Sequence, residues 1–260
     1  MPGVKLDEIR RFMVDSLLAV DVPESEAKAH ADLLLYADTC GHYSHGLNRL
    51  EYYVNDCNSG GCMPAAKPVI LLESKGTAWV NGCNALGATV GNFCMDLAIK
   101  KARECGVSWI AAKGCNHYGM ASYWVEKAQQ QGLIGLSFSN TSAMMVPTRS
   151  KVVRSNLVYN VPSWPNLDKK QKPRNLGQCF AVIDPRCFAP GFTDRVACLL
   201  KTLRGLEPVD CNRPVLVPGD LEHINREKNR SKGAIYYSHQ QIESINKMAK
   251  KYRIKPIRTV

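Results

Sequence analysis

The stretch Gly41-His42-Tyr43-Ser44-His45-Gly46-Leu47-Asn48-Arg49 sets a serine hydroxyl, two imidazoles and a guanidinium within nine residues. An arginine fork binds a carboxylate through two parallel N–H···O bonds, and a neighbouring imidazole or hydroxyl can hold the adjacent oxygen. His45 and Arg49 are four residues apart, so on a helix they would share a face. That spacing suits a 2-oxo or 2-hydroxy acid. It equally suits a capping Ser44 with a solvent-facing His and Arg. A further imidazole, His117, lies in Asn116-His117-Tyr118-Gly119. A neutral imidazole can act as acid or base near pH 7, although a histidine satisfied by local backbone at a strand end fits the same pattern. Together, Ser44, His45, Arg49 and His117 could grip a small carboxylate and move a proton.

The elements that would position these groups follow from the spacing of apolar residues. Leu6, Ile9, Phe12, Met13 and Leu17 predict a helix over residues 5–19. Pro23, Glu24 and Glu26 open a second helix that runs through Ala31, Leu34 and Asp38 toward Gly41. The Ser44–Arg49 motif falls on the following loop or at the head of a helix through Leu50, Tyr53 and Val54. Residues 69–74 and 77–80, joined by Lys75-Gly76, read as a hairpin. A helix from Gly87 to Cys105 precedes a buried strand from Val107 to Ala112, then a helix through Trp124 and Ala128, then a strand to Ser139. This strand–helix–strand–helix–strand order is α/β, and both polar motifs fall at its strand ends, where α/β sites gather. Further strands are expected over 177–184 and 235–237, and helices over 193–206 and 240–252. Residues 151–175 have no period and read as a linker. Residues 221–232 are polar and basic, with no element assigned.

Composition narrows the function classes. The net charge of +11 is uneven: residues 1–150 hold 13 Lys+Arg against 14 Asp+Glu, and residues 151–260 hold 21 against 9. Such a basic half can attract phosphate. Its charges are dispersed and not interleaved with aromatics, so no nucleic-acid partner is expected. Nor is a membrane span or a secretory signal expected, and the eleven scattered Cys read as reduced, buried thiols of a cytoplasmic protein. There is no Gly-x-Gly-x-x-Gly after a strand, no Walker loop, no His-Glu-x-x-His and no Gly-x-Ser-x-Gly, so an ordinary Rossmann site is unsupported and no metal site is expected. Asn81-Gly82 with Gly87 and Gly91 reads as a turn with close helix packing rather than a phosphate loop.

In combination, Ser44-His45-Gly46…Arg49, Asn81-Gly82…Leu86-Gly87, Asn116-His117-Tyr118-Gly119 and Ser139-Asn140-Thr141 resemble the malate/L-lactate dehydrogenase family, the non-Rossmann group that also includes ureidoglycolate dehydrogenases. Asn175-Leu176-Gly177-Gln178-Cys179, Asp184-Pro185, Pro190-Gly191-Phe192 and Pro218-Gly219-Asp220 extend the likeness. The sequence looks most like animal malate dehydrogenase-like members. The resemblance covers about residues 5–150 and 175–260. It implies a non-Rossmann NAD(P)-dependent oxidoreductase fold, a mixed sheet with flanking helices, and a homodimer. It implies NAD or NADP as cofactor, with hydride transfer to or from C2 of a small 2-hydroxy/2-oxo acid. It further implies that His117, and in some relatives His45, moves the proton; that Ser44 and Arg49 hold the carboxylate; and that Ser139, Asn140, Thr141, Gly219 and Asp220 line the nucleotide.

One departure stands beside the match. The family normally follows Pro147-Thr148-Arg149 with a Gly-Thr-Asn-Pro segment, an Asp-Met loop and a Gly-Gly-Tyr-Lys-Gly segment, and none is present here. The chain is then roughly a hundred residues shorter than a typical member, truncated in the middle. The expected organisation is a discontinuous helical/α+β domain over 1–75 plus 176–260, a remnant of the nucleotide-binding α/β domain over 76–150, and a linker-like junction over 151–175. The expected activity is weak or absent, because the missing segment supplies cofactor contacts. A second reading is a non-catalytic isoform that partners a full-length relative.

Overall fold

The computed structural model describes residues 1–140 and 173–260. Most of the 151–175 junction, and Thr141, lie outside the described residues. In chain order the elements are β1 (Gly3–Lys5), α1 (Leu6–Leu18), α2 (Glu24–Thr39), two short 3-10 turns (Tyr43–His45 and Leu47–Arg49), α3 (Leu50–Ser59), β2 (Val69–Glu73), β3 (Thr77–Asn81) and α4 (Gly87–Cys105). Then come β4 (Val107–Cys115), α5 (Ala121–Gln129), β5 (Ile134–Ser139), β6 (Leu176–Ile183), α6 (Phe192–Arg204), α7 (Asp220–Lys232), β7 (Ala234–Tyr236) and α8 (His239–Lys251).

The central sheet is mixed, in the order β2-β3-β4-β6-β5. β2 and β3 form the expected antiparallel hairpin, and β3 and β4 run parallel on either side of α4. β6 inserts between β4 and β5, antiparallel to both. β2 and β6, which the expected division assigns to the outer segments, thus hydrogen-bond into the same sheet as β3, β4 and β5. The mixed sheet with flanking helices is the architecture expected from sequence. β1 pairs with β7 in a separate two-stranded ribbon, joining the two ends of the chain.

Two apolar clusters hold these layers. One joins α1, α2, α3, β7 and α8 through Phe12, Leu17, Leu34, Tyr53, Ile235 and Met248. The other packs α4 and α5 on one face of the sheet through Val80, Met95, Ile110, Trp124 and Phe180. Glycine makes room where α4 meets its neighbours: a Cβ on Gly91 would lie 2.5 Å from the Trp124 ring, and one on Gly87 would lie 1.9 Å from the His117 carbonyl oxygen. The opposite face of the sheet is apolar and exposed, with Leu72, Trp79, Val107, Trp109, Leu136 and Phe138 all open to solvent and Trp109 stacked on Phe138 at 6.0 Å. Contiguous exposed apolar patches mark interaction surfaces or aggregation liabilities. Helix α6 buries no residue, and Leu199 on it is exposed.

All eleven cysteines are free thiols. Contrary to the expectation of burial, Cys105, Cys187, Cys198 and Cys211 are exposed, the first two at element ends and the third on the open helix α6. No helix among the described residues is long and apolar enough to cross a membrane.

Candidate active site

The Ser44–Arg49 motif does not form one helical turn. It is split at Gly46 into the two 3-10 turns, so His45 and Arg49 are related by loop closure rather than by a shared helix face. The anchor is Asp38 near the end of α2. Its Oδ2 accepts the Leu47 N–H at 2.8 Å and the Tyr237 hydroxyl at 2.8 Å. Gly46 lies directly against this carboxyl, where a Cβ would come within 1.9 Å of Asp38 Oδ1. Full burial pushes the Asp38 carboxyl up to about 7, against the lowering effect of those two hydrogen bonds. Within the motif, Arg49 Nε donates to the Ser44 carbonyl at 2.7 Å, and Ser44 Oγ lies 2.9 Å from His45 Nδ1. The Arg49 guanidinium lies over the Tyr52 ring at 5.5 Å. The loop therefore holds hydroxyl, imidazole and guanidinium as one cluster.

His117 reaches this cluster from the sheet. β4 ends in a register shift between Ala112 and Cys115, with Gly114 at φ 63, and such a bulge re-aims the chain that follows it. The Asn116–Gly119 turn then brings the His117 ring 5.7 Å from the His45 ring, centroid to centroid. Two supports hold it from α3. Tyr53 Oη lies 2.5 Å from His117 Nδ1. One turn later on the same helix, buried Asp56 accepts Asn116 Nδ2 at 3.0 Å, while Asn116 Oδ1 accepts the His117 N–H at 2.6 Å. Arg174, just ahead of β6, closes the network: its Nη2 lies 2.5 Å from Asp56 Oδ1, and its Nε lies 3.0 Å from Oδ2. Gln178 on β6 donates to the Asn116 carbonyl at 3.2 Å and to the Gly87 carbonyl at 3.3 Å.

Electrostatics follows from this packing. Burial, then the neighbouring His45 and Arg49, push the His117 imidazole down to about 4. Burial, Arg49 and His42 likewise lower His45. His30 on α2 is fully enclosed with its ring edge-on to Tyr53 at 4.1 Å, and burial drives it down to about 3. At neutral pH the cluster therefore presents neutral imidazoles beside the permanent charge of Arg49.

The remaining residues implied by resemblance are spread more widely. Ser139, at the end of β5, is in register with Gln178 and so lies close to the Asn116 support. The next residue, Asn140, accepts the Gly177 N–H at 2.6 Å through Oδ1. Gly219 and Asp220 open α7, across from the motif, where Glu222 Oε1 meets His42 Nε2 at 3.0 Å. Asp220 is engaged by Arg204 at 2.6 Å and by the Val217 N–H at 3.0 Å. Both residues line a cavity of about 540 Å³ bordered by Tyr36, Met120, Ser122 and Arg226, next to the His117 turn rather than over it.

A dinucleotide needs a cradle of unspent N–H donors or cations for its pyrophosphate. The cavity is lined by the N-terminus of α7, whose Gly219 cap makes no side-chain hydrogen bond, and by two arginines. Arg204 is paired with Asp220 and Arg226 with Glu126, so its cations are matched by acids. The Asn81-Gly82 turn packs on the sheet instead, with a Gly82 Cβ position 2.9 Å from the Gly114 carbonyl. The described residues thus bring Ser44, His45, Arg49 and His117 into one cluster, and Gly219 and Asp220 line the cavity beside the His117 turn.

Sequence reasoning passed over Tyr53, Asp56, Arg174 and Gln178 as site residues. A signal existed for the first two. Arg49, Tyr53 and Asp56 are spaced four and three apart, one stripe of a helix. Arg174 and Gln178 carry no local signal, because their partners lie more than sixty residues away in sequence.

Comparison with known proteins identifies the family and the fold. The sequence profile of a family described as malate/L-lactate dehydrogenase matches residues 4–155 and 155–246. The malate dehydrogenase of Pyrococcus horikoshii is 39% identical over 145 residues, 56% of this chain and 40% of that protein. The L-sulfolactate dehydrogenase of Methanocaldococcus jannaschii is 37% identical over 148 residues, 57% of this chain and 43% of that protein. The aligned part of the chain thus spans about two fifths of the length of these curated relatives. The solved structure of the Pyrococcus horikoshii malate dehydrogenase superposes with a TM-score of 0.85 at 23% identity, covering 98% of this chain and 97% of that one, a likeness of fold. With the profile matched across most of its length, the chain belongs to the malate/L-lactate dehydrogenase family.

Proposed function

We propose that this chain is an oxidoreductase of the malate/L-lactate type whose substrate half is complete and whose dinucleotide half is not. It binds a small 2-oxo or 2-hydroxy acid at the Ser44-His45-Arg49 cluster, with His117 moving the proton at the C2 oxygen. Its NAD- or NADP-dependent turnover is weak or absent. The observation that carries the reading is the convergence of the Arg49 loop and His117, with imidazole rings 5.7 Å apart, on supports from α2, α3 and the residue ahead of β6. The reaction class itself is brought by family membership.

In this reading Arg49 and Ser44 hold the substrate carboxylate, and His45, hydrogen-bonded to Ser44, sits beside it. Arriving substrate changes the proton affinity of His117. Arg49 helps to hold that imidazole down at about 4. A carboxylate on Arg49 offsets this field, so binding raises His117 toward the working range of an acid–base catalyst. Ser139 and Asn140, and Gly219 and Asp220, remain the candidates for nucleotide contacts from the described residues, with Thr141 beyond them. NAD against NADP, the particular hydroxy acid and the family's homodimer belong to the same proposal.

The test separates the two halves. Calorimetric titration with oxaloacetate or pyruvate should show binding that Arg49→Met abolishes. Nicotinamide absorbance with NADH or NADPH and the same acids should show turnover far below that of a full-length relative. No binding of either acid would sink the substrate-site reading. Relative-like turnover, lost in His117→Ala, would sink the claim of an incomplete dinucleotide half.

A further inference from the structure

We infer that Tyr53 is a positioning residue for His117: its hydroxyl, with the Gly119 N–H, holds Nδ1 as a hydrogen-bond acceptor and thereby fixes the tautomer that carries its proton on Nε2. This rests on the reading of His117 as the proton-moving group. The Gly119 N–H, shared between the Tyr53 hydroxyl oxygen and His117 Nδ1, carries the argument for the direction of these bonds. Gly119 N lies 3.2 Å from His117 Nδ1, and a backbone N–H can only donate. Nδ1 therefore offers its lone pair, and the Tyr53 hydroxyl at 2.5 Å must donate as well. A neutral ring whose Nδ1 accepts has its single proton on Nε2. In the proposed reaction that nitrogen carries the proton to the substrate oxygen.

Tyr53 is well placed to do this rigidly. Its side chain is fully buried in the cluster that joins α1, α2 and α3, so its hydroxyl has little freedom to wander. His30 packs edge-on against its ring, and the two nitrogens of His30 have no hydrogen-bond partner among the described residues. His30 therefore supports Tyr53 by shape. Asp56, three residues further along α3, fixes the backbone of the same turn through Asn116. One helix thus controls both the position of the His117 backbone and the proton inventory of its ring. The groups that face His117 are His45 and Arg49 from the loop and Tyr53 from α3, with His30 behind Tyr53.

The test reads the ring itself and needs no turnover. In the full chain labelled with nitrogen-15 histidine, long-range proton–nitrogen correlation assigns the tautomer and titration of His117. The wild type should show an unprotonated, hydrogen-bonded Nδ1 and a protonated Nε2. Tyr53→Phe deletes one donor to the Nδ1 lone pair, so the Nδ1 resonance should move toward an unbonded nitrogen. The His117 midpoint should then rise by about half to one pH unit. His30→Phe keeps the hydroxyl and should leave the tautomer in place. A wild-type ring protonated at Nδ1, or a Tyr53→Phe spectrum and midpoint identical to the wild type, overturns the inference. The wild-type arm stands even if Tyr53→Phe fails to fold. Addition of pyruvate then addresses the underlying reading separately: the fixed tautomer with no response of Nε2 would remove the catalytic role of His117 and leave the role of Tyr53 intact.

Discussion

Replacing Arg174 by Met should destabilise the protein by about 3–5 kcal/mol, because it breaks a buried ion pair from one side. Arg174 is 4% exposed and Asp56 1% exposed. The guanidinium approaches the carboxylate through two nitrogens, with Nη2 at 2.5 Å and Nε at 3.0 Å. The Asn116 amide, 3.0 Å from Asp56, offers the carboxylate a dipole and not a full charge. The exposed pair Arg230–Glu227, at 61% and 57%, sets the contrast: Arg230→Met should cost about 1 kcal/mol or less. Against a total stability of about 5–15 kcal/mol, the loss at Arg174 is a large fraction. Urea denaturation followed by circular dichroism measures both variants. The double variant Asp56→Asn, Arg174→Met removes the buried carboxylate charge as well and should recover part of the loss, which a double-mutant cycle reads as coupling. A cost at Arg174 no larger than that at Arg230, or strictly additive effects in the cycle, would refute the reasoning. Because Asp56 holds Asn116, and Asn116 holds the His117 backbone, the same variant should also broaden the His117 ring resonances.

Other predictions address acid stability, the glycine at the His117 turn and the open sheet face. His30 and His117 have folded midpoints of about 3 and about 4, below the ordinary value of 6.5. Each therefore contributes stability that is present above pH 6.5 and lost as pH falls through its folded midpoint. His30→Phe should flatten the acid limb of a stability–pH curve without lowering stability at pH 7, since no hydrogen bond to the ring is lost among the described residues; an unchanged acid limb would contradict this. Gly87→Ala places a Cβ 1.9 Å from the His117 carbonyl oxygen and should cost about 1–3 kcal/mol while displacing the His117 ring, visible in the same urea and resonance measurements. Trp109→Lys with Phe138→Lys interrupts the exposed apolar face and should lower light scattering of concentrated protein, whereas scattering equal to the wild type would show that this face does not drive association.

The sequence by itself determined the elements whose apolar residues repeat at their own period. Helices α1, α4 and α8 and the β2–β3 hairpin lie where the spacing puts them, because each writes its buried face into consecutive residues. It also determined the family, through short polar motifs at fixed offsets in the chain. It could not reveal α7. Residues 220–232 have almost no apolar stripe, and the helix is docked by polar contacts: Asn225 and Asn229 donate to the Cys40 and Thr39 carbonyls at the end of α2, and Arg226 pairs with Glu126. Nor could it place β6. Only the tertiary structure sets β6 between β4 and β5. The candidate site shows the same division. The identities of Ser44, His45, Arg49 and His117 were legible as chemistry. Their meeting, and the supports from Tyr53, Asp56 and Arg174, were decided by contacts between residues 60 to 118 positions apart, which no local period records.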